Sequence, residues 1–214
     1  MITVYVFGNV PAPVVGVTRD LRVLWAAEEA GLPYRVQPLD YPRGELRSAD
    51  YLRVNPFGLI PAIDDDGFKL SESAAIVRYL AEKAGTLLPA DAKGRALAAQ
   101  WAFAAATTIE TKLLDVFGVD KFHADTAWAR ERRPAFVEGA QKRLADLDGQ
   151  LATQHYLLGQ EFTVPDILMS AALRLIQHTN LLDATPNLSR YKERCESRPA
   201  WRKIYAAYEQ RLAA

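Results

Sequence analysis

The chain has 214 residues, 50% of them hydrophobic, and its 26 basic and 26 acidic side chains cancel to a formal charge of zero. That length is comfortable for two domains, and the charge balance excludes a basic nucleic-acid surface or an acidic tail as the organising feature. A single cysteine, Cys195, excludes an internal disulfide framework; His123, His155 and His178 are not at metal-ligand spacing, and no apolar run approaches the roughly 20 residues of a membrane span. Met1-Ile2-Thr3 passes straight into an apolar stretch without a signal-peptide pattern, so a cytoplasmic protein with no nucleic-acid, membrane or metal partner is expected.

In chain order, Ile2–Phe7 is β-branched and aromatic and predicts a strand. An apolar loop follows, Gly8 to Val17, kept out of regular structure by Pro11, Pro13, Gly8 and Gly16. Thr18-Arg19-Asp20 opens a helix that Gly31 stops, and Pro33–Leu39 is the next strand. A β-α-β order predicts parallel strands with a right-handed crossover. Glu45–Val54 reads as a short helix or irregular segment.

The stretch Asn55 to Ser73 (N-P-F-G-L-I-P-A-I-D-D-D-G-F-K-L-S-E-S) organises what surrounds it. Asn55-Pro56-Phe57-Gly58 is a turn. Pro61 leads a short strand, where its missing N–H does least harm. Pro61–Ile63 and Phe68–Leu70 form a hairpin around the aspartates and Gly67. Ser71 is placed to cap a helix, Ala74–Lys83, with Glu72 in its first turn. The backbone of Ile60 is placed to pair with an extended ligand, and the helix start at Glu72-Ser73 offers N–H groups to a carboxylate. A small peptide bearing carboxylates fits both.

Gly85–Ala90 reads as a linker. Beyond it Lys93–Phe117 and Thr126–Leu151 are predicted helices, broken at Gly118-Val119-Asp120, with Pro134 expected to kink the second or to mark where its regular part starts. Thr163 and Asp166 have capping-box spacing, and Phe162 and Ile167 that of a hydrophobic staple, so Asp166 reads as a structural cap. Asn187–Cys195 and Pro199–Leu212 close the chain as helices.

N-P-x-G-x-x-P, a hairpin, then x-x-E-S-x-A-I resembles the glutathione-binding half of the cytosolic glutathione S-transferases, and T-R-D-L-R-V-L-W resembles the S-R-x-L-R-V-L-W pattern of many bacterial members, after an atypically long first loop. The resemblance covers nearly the whole chain. It implies an α/β thioredoxin-like N-terminal domain (1–84), a linker (85–90) and an all-α C-terminal domain (91–214). It implies Pro61 as a cis-proline, Ile60 pairing with the cysteinyl part of glutathione, and Glu72 and Ser73 holding its γ-glutamyl end. Thr18 takes the place of the hydroxyl that activates the thiol, or is an ordinary N-cap; Arg19 assists, or is solvated. A tyrosine mechanism is unlike this chain, since the matching position is Val6. Leu59 stands where members carry Lys or Gln for the glycyl carboxylate, leaving Arg43, Arg47 and Arg53 as replacements. Val10, Trp101, Phe103 and Thr108 are the expected electrophile site, although a Trp on an amphipathic helix is most often core, and core is the slightly favoured reading for Trp101. The implied function is conjugation of glutathione, a co-substrate, to a small hydrophobic electrophile by a homodimer. The alternatives are a glutathione-dependent disulfide reductase or peroxidase and a non-catalytic interaction module.

Overall fold

The computed structural model describes residues 1–213. In order, the elements are β1 (Ile2–Phe7), α1 (Asp20–Glu29), β2 (Tyr34–Leu39), α2 (Ala49–Leu52), β3 (Ala62–Asp65), β4 (Phe68–Ser71) and α3 (Ser73–Ala84). Then come α4 (Ala92–Phe103), a π-helical turn (Ala104–Ile109), α5 (Glu110–Phe122), α6 (Ala127–Gln150), α7 (Val164–Leu173), α8 (Pro186–Glu196) and α9 (Pro199–Ala213). Two compact units result: residues 1–87 with the segment from Arg198 onward, and residues 88–197.

In the first unit the sheet runs β2-β1-β3-β4, with β1 parallel to β2 and antiparallel to β3, and β3 and β4 forming the hairpin. Val4, Val6 and Ile63 on the sheet are fully buried, as are Trp25 on α1 and Ile76 and Leu80 on α3. Burial of so many aliphatic and aromatic side chains is what stabilises the unit, at about 1.5–3 kcal/mol per large side chain. The last helix, expected with the helical domain 91–214, groups instead with this unit. Its Trp201 ring lies 4.7 Å from Trp25, and Arg198 forks onto Glu29 at 2.6 and 2.7 Å. Length and composition do not distinguish a helix that closes one unit from a helix that returns to another; packing does.

The second unit is helical. Asp166 accepts from Leu157 N–H, Thr163 N–H and Oγ1, and the Tyr191 hydroxyl at 2.9–3.0 Å, all buried, so the capping box is present. The predicted break at Gly118–Asp120 is absent: α5 runs through it to Phe122, and the chain turns at His123–Thr126 instead. Buried Val116, Phe117 and Val119 hold that turn of helix, outweighing the ~1 kcal/mol cost of Gly118. Helix α6 also continues through Pro134. Cys195 is buried in this unit. Among the described residues no helix is long and apolar enough to cross a membrane, and no group of His, Cys, Asp and Glu is placed to hold a metal.

Candidate functional site in the first unit

The stretch before β3 is held by side chains behind it. Tyr51 Oη and Asn55 Nδ2 both donate to the Leu59 carbonyl at 2.6 Å, and Phe57 N–H donates to Asn55 Oδ1 at 3.1 Å. Asn55 and Tyr51 are 2% and 3% exposed, and burial pushes the Tyr51 phenol well above its ordinary pKa, so it stays a donor. Gly58 has φ 60°; a side chain there would come within 2.6 Å of the Leu46 carbonyl and 3.2 Å of Arg47 Nη1. The turn therefore requires glycine, and Arg47 lies across it. Arg43 and Arg53, by contrast, pair with Asp40 and Asp50.

This scaffold presents Ile60 and Pro61, whose peptide bond is cis. Ile60, Leu46, Tyr51 and Ala62 form one apolar cluster with Tyr5 and Phe7 from β1. Continuing the Tyr5–Ala62 register brings the end of β1, and so the start of the apolar loop, alongside Ile60–Pro61. On the other side Ala62 pairs with Ser71, the last residue of β4. Helix α3 starts two residues on, so the ladder brings Pro61 and Glu72-Ser73 together.

Glu72, not Ser71, is the N-cap of α3, and the helix begins at Ser73 rather than Ala74. Glu72 has φ 71° and ψ 110°, a conformation an L-residue adopts at a cost of about 1–3 kcal/mol. Its carbonyl accepts from Ile76 N–H at 2.9 Å, and helix geometry leaves the N–H groups before Ile76 without an intrahelical acceptor. The Glu72 side chain is exposed and makes no cap; Ser73 is buried, and its Oγ accepts from Arg22 Nη1 at 3.4 Å. That strain is not offset by a cap from the exposed Glu72 side chain itself.

The start of α1 differs from what Thr18 suggested. The N-cap is Arg19, whose side chain makes no cap hydrogen bond. Thr18 is 7% exposed; its Oγ1 is buried against the Asp20 carboxyl and the Tyr208 hydroxyl without a hydrogen bond of good geometry. Asp20 is fully buried and accepts from Phe7 N–H (3.2 Å) and Leu21 N–H (3.1 Å). Burial raises its pKa, while Thr18, Arg211, Phe7 and Leu21 oppose the rise. The anion seat at this helix start is therefore taken by the chain's own Asp20. Arg19 is exposed. Leu59 is exposed, and Val10 is half-buried in the loop. Of the residues expected at the electrophile, Trp101 is half-buried while Phe103 and Thr108 are exposed, all on α4 or the π-helical turn of the second unit. Asn55, Tyr51, Arg22, Asp20 and Tyr208 were not singled out as site residues from sequence; of these only Asn55 carried a signal, as the first residue of its turn motif.

Two family models match, the N-terminal domain of glutathione S-transferases over residues 21–83 and the C-terminal domain over 123–199. Glutathione S-transferase F11 of Arabidopsis thaliana is 32% identical over 96% of this chain and 99% of its own length. The chain belongs to the glutathione S-transferase family. Among solved glutathione transferases, a Pseudomonas fluorescens family member described with two glutathione bound superposes with TM-score 0.84 at 27% identity, covering 95% of this chain and 92% of its own. Transferase F2 of Populus trichocarpa superposes at 0.85 with 24% identity, over 98% of this chain and all of its own. The transferase fold is thus matched over nearly the whole chain, by plant and bacterial proteins alike.

Proposed function

We propose that the first unit binds glutathione and that the protein is a glutathione transferase. The observation that carries this is the convergence of Ile60–Pro61, the strained Glu72 and the start of α3 on one ladder, in a member of this family. In this reading Ile60 pairs through its backbone with the cysteinyl residue. Ser73 and the N–H groups that follow it take the γ-glutamyl carboxylate, and the Glu72 carboxylate its ammonium group. Arg47, lying over Gly58, replaces the polar residue missing at Leu59 and takes the glycyl carboxylate. Family relatives described with bound glutathione support the ligand.

The chemistry proposed is addition or displacement. The bound thiol loses its proton to solvent and the thiolate pair forms a C–S bond to the electrophilic carbon; in a displacement the leaving group departs with its bonding pair, and in an addition the broken π pair moves to the neighbouring atom, which takes a proton from solvent. Val10 in the loop of the first unit is proposed to meet a small hydrophobic electrophile. A homodimer is part of the same proposal, to be read by light scattering.

A second reading, glutathione binding with weak thiol activation, is favoured by one feature: the closed Thr18 hydroxyl beside the Asp20 carboxyl. Calorimetry with reduced glutathione, with thiolate absorbance followed in parallel and an aryl halide as electrophile, separates the two. Binding with a depressed thiol pKa and turnover supports the transferase. Ser73→Ala is expected to weaken binding by about 1.5–3 kcal/mol, the value of a hydrogen bond to a charged group, or roughly 10- to 150-fold. No binding by the unmodified protein at millimolar glutathione sinks the proposal.

A further inference from the structure

The loop from Gly8 to Val17 leaves β1 beside Ile60–Pro61 and contains no Ser, Thr, Tyr or Cys. The hydroxyl at its far end, on Thr18, is closed to solvent. Whatever this loop does for a thiol at Ile60 depends on where its backbone is held.

The hold comes from the far end of the chain. Gly16 N–H donates to Tyr208 Oη at 2.9 Å, a buried bond spanning 192 residues. Gly16 has φ 78°, and Tyr208 is 1% exposed. Other polar groups gather around that bond. Thr18 and Asp20 lie against the Tyr208 hydroxyl, and the Arg211 guanidinium sits 3.8 Å from Asp20 and 5.4 Å from the Tyr208 ring. Asp20 in turn holds Phe7 N–H, the last residue of β1. One buried cluster thus ties both ends of the loop and the first turn of α1 to α9. Within it Thr18 Oγ1 and the Arg211 Nε and Nη2 make no hydrogen bond, so the hold rests on the bonds from Gly16 to Tyr208 and from Phe7 and Leu21 to Asp20.

We propose that Tyr208 is a positioning residue for the glutathione thiol, holding the Gly16–Asp20 turn so that the loop backbone is fixed beside the thiol bound at Ile60. This rests on the glutathione reading above. Tyr208 touches no ligand; it acts through Gly16. Removing its hydroxyl frees the turn without touching Ser73, Glu72 or Arg47. The affinity for glutathione should therefore hold while the thiol loses its setting.

The test uses the full chain, with Tyr208→Phe against Arg198→Gln, which loosens the same α9–α1 contact at Glu29 without reaching the loop. Tyr208→Phe is expected to bind glutathione within about threefold of the parent, to raise the bound thiol pKa by about one unit, a tenfold change in ionisation, and to lower kcat toward an aryl halide with KM for glutathione unchanged. Arg198→Gln is expected to lower the melting temperature and leave the thiol pKa alone. An unchanged thiol pKa in Tyr208→Phe, or equal shifts in both variants, overturns the proposal. In the parent protein, Gly16 amide exchange should slow at least about tenfold on saturation with glutathione, and unchanged exchange also overturns it. If the parent itself binds no glutathione, the functional reading has failed and this inference goes with it; if the parent binds and only Tyr208→Phe behaves like the parent, the inference fails alone.

Discussion

Tyr51 and Asn55 donate to the same carbonyl, and the energetics of that shared acceptor are open to a double-mutant cycle. Tyr51→Phe removes one 2.6 Å donor from Leu59 O but leaves the other, so its cost should be that of an ordinary hydrogen bond, about 1 kcal/mol. Asn55→Ala removes the second donor and also the acceptor of Phe57 N–H, about 2 kcal/mol for two bonds. In the double variant the part-buried Leu59 carbonyl has neither donor. An acceptor stripped of its partners carries a desolvation cost beyond the bonds lost, at least about 1 kcal/mol. The double variant should therefore lose about 4 kcal/mol, with a coupling energy near +1 kcal/mol. Urea unfolding at constant m measures stability, and glutathione calorimetry reports whether Ile60 keeps its place. Additivity within about 0.5 kcal/mol would refute the reasoning, because residues sharing no partner behave that way. Equal glutathione affinity in all four proteins would show that the clamp serves folding and not the ligand.

Three further expectations follow from single residues. Glu72→Gly should relieve the positive φ, leaving the melting temperature unchanged or higher, while glutathione affinity falls; a protein that is less stable and binds as before would mean that Glu72 is structural. Thr18→Val should leave the bound thiol pKa unchanged, because Oγ1 is closed off; a rise of about one unit, worth ~1.4 kcal/mol, would show that the hydroxyl reaches the thiolate. In the second unit Asp120 is held below the usual carboxylate pKa by Arg133, which forks onto it at 2.6 and 3.0 Å, and then by His178 at 3.1 Å. A depressed folded-state pKa adds stability above the unfolded value of 3.8 that is lost as pH falls through the folded value. Asp120→Asn should therefore be less stable than the parent at neutral pH and show a shallower loss of stability between about pH 4 and pH 2. Parallel acid titrations by circular dichroism would contradict this.

Features readable from the amino-acid order alone share one property: they are local. The N-P-F-G turn, the hairpin around Asp64–Gly67, and the T-V-P-D capping box each depend on residues within a few positions of one another, where steric limits and hydrogen-bond reach leave few options. So the Pro61 strand, α3 and the Thr163–Asp166 box lay close to where spacing placed them, within a residue or two at the ends. Tertiary structure decided what local rules leave open. Gly118 and Pro134 stay inside helices, in α5 because a buried face outweighs a weak helix former. The last helix joins the first unit because Trp201 and Arg198 find Trp25 and Glu29, a choice that helix propensity cannot express. Thr18 occupies the place of an activating hydroxyl in the pattern, yet its oxygen is turned into a pocket built by Asp20, 2 residues away, and Tyr208, 190 residues away. Burial is a property of the assembled unit, and it is burial that removes that hydroxyl from the surface and gives Tyr208 its hold on Gly16.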